Sequence, residues 1–116
     1  MTEMQAHERP ISEQYRVAAN LWVDADGNAR ELEELKTTML EQKKNALVLA
    51  ALGKMADNHA EREVKASEDW ETYIRGMVHA RTKANKLKVE MDRLRMLARE
   101  IEDRNNTIRA EMRLSR

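Results

Sequence analysis

The chain has no cysteine and no phenylalanine, one proline, three glycines, two tryptophans and two tyrosines in 116 residues. Without cysteine, disulfides and thiolate metal sites are excluded. With so little proline and glycine, few positions force a helix to stop. With so few aromatics, a wide globular core has little to fill it, and a thin apolar seam is the expected alternative. No apolar run approaches the roughly 18 residues that a spanning helix needs. Residues 1–10, MTEMQAHERP, also lack the basic-then-apolar order of a secretion signal. The expectation is a cytoplasmic protein with no membrane partner.

What the chain does have is charge. Charged residues make up 36% and apolar ones 41%, with a net charge of zero. The two halves differ: residues 1–52 carry six Lys/Arg against nine Asp/Glu, and residues 68–116 carry twelve against nine. Opposite halves of this kind attract one another, within or between chains.

Apolar or small residues recur in alternating steps of three and four from Trp70 onward. They run Trp70, Tyr73, Met77, Ala80, Ala84, Leu87, Met91, Leu94, Ala98, Ile101, then Asn105, Ile108 and Met112. Such a rhythm sustained over about six heptads is the signature of a coiled-coil helix. Ser67 is a candidate N-cap with Glu68 and Asp69 after it, so the pattern predicts a helix over about 68–113. The first half repeats the rhythm at Tyr15, Ala18, Trp22, Ala25, Ala29 and Leu32. It then slips toward Leu35, Met39, Ala46 and Ala50, because Lys36 and Lys43 occupy the old seam. Pro10, Ser12 as N-cap and Gly53 at the residue after the C-cap bound a second helix at about 12–52. Residues 53–67 are expected to hold a turn and a short helical segment, and residues 1–11 to be disordered. The predicted fold is all-α: one domain over 12–116, a long antiparallel helical hairpin that pairs into a four-helix bundle.

The stretch LWVDADGNAREL, Leu21 to Leu32, invites a calcium reading. Counted from Asp24, a calcium loop needs Gly at position 6 and Glu at position 12, where this chain has Ala29 and Leu35. Asp-Gly also favours a turn, but Trp22, Ala25, Ala29 and Leu32 keep one face without a skip. A continuous helix softened at Gly27 is therefore expected.

No catalytic constellation stands out. His7, His59 and His79 lie in separate segments, and there is no phosphate loop, nucleophile elbow or metal-binding histidine pair. The expectation is a non-enzyme with no catalytic residue, no metal and no cofactor. Between Glu71 and Glu90 there is no acid, while Arg75, Arg81, Lys83, Lys86 and Lys88 occur with His79. Such a run can track a phosphate backbone. It can equally pair with Glu31, Glu33 and Glu34 across a hairpin whose turn lies near residue 60. The seam itself supplies candidate partner-binding and oligomer residues: Tyr15, Trp22, Trp70, Tyr73, Met77, Leu87, Met91, Leu94 and Ile101. Two helices leave half of each stripe wet, so a homodimer or a docked partner is expected. Asn105 is the kind of seam residue that fixes register.

The segment EREVKASEDWETYIRGMVHARTKANKLKVEMDRLRM, with RVAANLW before it and RAEMRL after it, resembles small helical accessory proteins of tailed bacteriophages and prophages. The resemblance implies a companion of phage recombination or single-strand-DNA handling, acting in the host cell cytoplasm, and carries no catalytic residue with it. The function expected is a helical interaction protein that binds a protein machine acting on DNA, such as a recombination, nuclease or host defence complex. The alternatives are direct nucleic-acid binding through the basic run, and a structural scaffold.

Overall fold

The computed structural model describes residues 10–115. The segment expected to be disordered, residues 1–11, lies outside this range except for Pro10 and Ile11. The described residues are all-α, with no strand: α1 spans Ile11–Ala50, α2 Asp57–Ala66 and α3 Glu68–Leu114.

Helix α1 begins one residue before the expected boundary. The carbonyl of Pro10 accepts the N–H groups of Glu13 and Gln14, each at 3.0 Å. Ser12 therefore lies inside the first turn and is not the cap. The proline ring already holds φ near the helical value, which suits the start of a helix. The helix continues through Asp24, Asp26, Gly27 and Asn28 without a break. It stops where two successive residues turn left-handed, Leu52 at φ 56° and Gly53 at φ 76°. The Gly53 N–H returns to the Val48 carbonyl at 2.9 Å and the Leu52 N–H to Leu49 at 3.0 Å. This is the paired hydrogen-bond pattern of a Schellman ending. Gly53 was expected at the first position past the helix, but Leu52 takes that place and Gly53 the next.

Ser67 separates α2 from α3 and serves both. Its hydroxyl donates to the Val64 carbonyl at 2.6 Å, closing α2. Its oxygen also accepts the Trp70 N–H at 3.3 Å, the N-cap bond expected for α3. Glu68, Asp69 and Glu71 fill the first turn of α3, where the helix dipole favours acids.

The described residues group into two compact units, one of residues 10–24 with 85–115 and one of Ala25–Ala84. A thin seam has this effect: each residue touches only its immediate neighbours across it, so long helices pack in local stretches. In the unit Ala25–Ala84 the contact is built from alanines: Ala29, Ala80 and Ala84 are buried, with Ala25 and Leu32 against them. Ala60 and Val64 of α2 are buried in the same unit. In the other unit Ala18, Met91 and Leu94 form the core, flanked by Tyr15, Ala19 and Trp22.

Candidate interaction surface

The seam expected from the sequence is the buried face over much of its length. Trp70, Ala80, Ala84, Met91 and Leu94 are buried, and Tyr73, Met77 and Leu87 are half-buried. On α1 Ala18 and Ala29 are buried, with Tyr15 and Trp22 half-buried. Trp70, one of the candidate oligomer residues, is covered within the chain. Its ring stacks on Tyr73 with centroids 5.6 Å apart. The Tyr73 hydroxyl donates to the backbone carbonyl of Leu32. Within the other unit, Arg95 lies 5.7 Å from the Tyr15 ring centroid and donates to its hydroxyl at 2.9 Å.

Beyond Leu94 the rhythm continues but the cover does not. Every described residue from Ala98 onward is exposed. Ile101 is 37%, Ile108 44%, Met112 63% and Leu114 87% exposed. Asn105, expected to fix register inside a seam, is exposed as well. Ile11 and Ser12, at the start of α1, share a groove of about 420 Å³ with Leu94, Arg95 and Ala98.

Over its last third, α1 departs from the expected face. Leu35, Ala46 and Ala50 are exposed. The less exposed positions are Met39 and Leu40, Lys43 and Lys44, Leu47 and Val48. The neighbour here is α2, whose Glu63 and Val64 line an open groove of about 400 Å³ with Ser67, Lys43, Ala46 and Leu47. Lys44 is 6% exposed. Its ammonium reaches Asp57 at 3.0 Å and Glu41 at 3.2 Å. Those two carboxylates, Asp57 first, raise its pKa above the ordinary lysine value. A buried lysine of this kind is tolerated only because it is paired. A pattern search scores it as surface.

The basic run resolves into separate environments. Arg81, in the run expected to face Glu31, Glu33 and Glu34 across a turn near residue 60, pairs with Glu33 at 2.6 Å and also with Asp26 at 2.8 Å, further toward the start of α1 than that turn implied. The shift arises because the connection falls at residues 51–56 and α2 follows it, bringing Tyr73 to Leu32. The Arg81 guanidinium holds the Glu33 carboxyl below its ordinary value. Arg75 pairs with Glu71 on its own helix at 2.5 Å. Lys83, Lys86 and Lys88 have no ion pair among the described residues. Lys86 and Lys88 are two apart on α3, a spacing that points them to different sides of the helix. Among the described residues no group of three or more His, Asp and Glu side chains is placed to hold a metal ion.

No protein family matches the chain, and neither a curated protein nor a solved structure does.

Proposed function

We propose that the chain is a non-catalytic interaction protein built as an antiparallel helical hairpin, whose open C-terminal seam on α3 is its docking surface. The observation that carries this reading is the continuation of one apolar stripe past its cover. The same three-and-four spacing that buries Met91 and Leu94 exposes Ile101, Ile108 and Met112. A helix that keeps its apolar face where no other described element packs against it is built to be covered. The resemblance to phage accessory proteins directs the choice of partner toward a machine acting on DNA, in recombination, nuclease or defence complexes of the host.

Affinity capture of the tagged chain from infected cells, followed by mass spectrometry, tests the proposal. The expected result is recovery of a DNA-processing complex by the natural chain and not by Ile108→Asp, which places a charge in the stripe. Capture that is indifferent to Ile108→Asp would reject the seam as the docking surface.

A second reading, direct nucleic-acid binding, is supported by the three lysines that lack carboxylate partners among the described residues. It requires affinity that falls steeply with salt and with Lys83→Glu or Lys86→Glu, measured by fluorescence anisotropy. Arg81 would not contribute, because Asp26 and Glu33 already occupy it.

A further inference from the structure

We infer that the open end of α3 is covered by the same end of a second copy, running antiparallel. This rests on the reading of the 98–114 stripe as an interface, and it names the occupant of that stripe when no other protein is docked there.

The argument begins with the heptad frame that the buried residues define. Met91 and Leu94 occupy successive core positions, a and d, so Ala98, Ile101, Asn105, Ile108 and Met112 continue as a, d, a, d, a. The flanking e positions are then Glu102 and Arg109, and the flanking g positions Arg104 and Glu111. Each flank carries one acid and one base, seven residues apart. Among the described residues none of these four side chains is engaged in an ion pair, and all are exposed. Their charges are available to a neighbour.

Two antiparallel helices bring e to e and g to g, and layer a against d. Setting Ile101 against Met112 of the second copy, and Asn105 against its Ile108, aligns both flanks at once. Glu102 then faces Arg109 of the second copy, and Arg104 faces its Glu111. By symmetry each contact occurs twice, so all four flanking pairs attract. Sliding by one heptad in one direction places Glu102 against its own copy and Arg104 against its own copy. Sliding in the other direction does the same for Arg109 and Glu111. A parallel pair would stack Asn105 on Asn105, a favourable match, but would twice bring Arg104 against Arg109. One arrangement satisfies every flanking charge, and the alternatives place like charges together, which is how coiled-coil partners are selected.

The geometry at the root of the segment agrees. Ile11 and Ala98 line one groove, so α1 stops covering α3 near Ala98. In the charge-matched register Ala98 lies opposite Ser115 of the second copy. The second copy's α3 would take over as neighbour where α1 leaves off. About two and a half heptads make a small interface, so a reversible dimer is expected, at the weak end of specific association.

Sedimentation equilibrium of the natural chain, Glu102→Arg, Arg109→Glu and the double variant tests the inference. The natural chain should show a concentration-dependent dimer. Each single reversal converts two attractive pairs into two repulsive ones and should weaken it about tenfold. The double variant exchanges the signs within each pair and should restore it. Because the chain has no cysteine, Ile101→Cys and Met112→Cys supply a second readout: under mild oxidation they should cross-link when mixed and not when separate. A natural chain that stays monomeric, a dimer tightened by Arg109→Glu, or a dimer indifferent to all three variants would each overturn the antiparallel pair. Ile108→Asp keeps the two readings apart. If it abolishes capture of a partner while the charge variants do nothing, the seam docks another protein and only the second copy is wrong. If it alters neither capture nor mass, the seam itself is rejected.

Discussion

Leu52 and Gly27 show how a residue can sit in a backbone suited to another. Leu52 holds φ 56° at the end of α1 and is exposed, so its side chain gains little there while its Cβ crowds the backbone. Leu52→Gly should stabilise the fold by about 1 kcal/mol. Gly27 is the reverse case: it lies inside a helix, and a methyl group added there would meet nothing within 4 Å. Gly27→Ala should also stabilise by about 1 kcal/mol. Denaturant unfolding of the two variants checks both; a loss of stability in either would contradict the backbone described for that site. The sequence marked Gly53 as the stop because glycine is the usual left-handed residue. It could not show that the Schellman ending uses two left-handed residues, with leucine taking the first.

The elements themselves were legible to different degrees. α3 was readable because its apolar rhythm never skips, so Trp70, Ala80, Ala84, Met91 and Leu94 are buried where spacing put them. The start of α1 was readable on the same grounds through Leu32. Its last third was not, because a short helix of ten residues lies against it and the most buried side chain there is Lys44. Apolar periodicity carries no information about a lysine that is buried with its counter-ions. Ser67 was legible as a cap for α3, though not as the closing residue of α2. Since its one hydroxyl serves both helices, Ser67→Ala should cost about 1 kcal/mol or somewhat more. Ser67→Asp keeps the acceptor for the Trp70 N–H but cannot donate to Val64, and should fall between the two. Thermal melts followed by circular dichroism would rank the three proteins, and equal midpoints would show that the cap carries no weight.

For the molecule as a whole, pH is the variable that separates its charge contacts. Arg81 holds Glu33 below its ordinary pKa, and Arg93 does the same to Glu90. A depressed carboxylate stabilises the fold fully above its unfolded value, and that contribution disappears as acid protonates it, below about pH 4. Lys44 is raised, so its contribution is complete below the ordinary lysine value and fades as base deprotonates it, above about pH 10. The thermal midpoint should therefore be flat across neutral pH and fall at both ends. Arg81→Gln should remove part of the acid-side slope and leave the basic side unchanged; an unchanged acid side would mean that the Arg81 contacts do not form in solution. Those contacts were only half legible. The acids near residue 33 could be named from the sequence, whereas Asp26 could not, because its meeting with Arg81 depends on where the chain turns. The alanines of the unit Ala25–Ala84 have a mechanical consequence. Ala29, Ala80 and Ala84 make a contact with little relief along the helix axis, so the alanines by themselves resist sliding of one helix past the other only weakly. The Tyr73 hydroxyl on the Leu32 carbonyl, and the Arg81 fork on Asp26 and Glu33, are directional and cannot follow such a movement. They act as detents on a smooth track: burial holds the helices together, and a few polar atoms decide where along each other they come to rest.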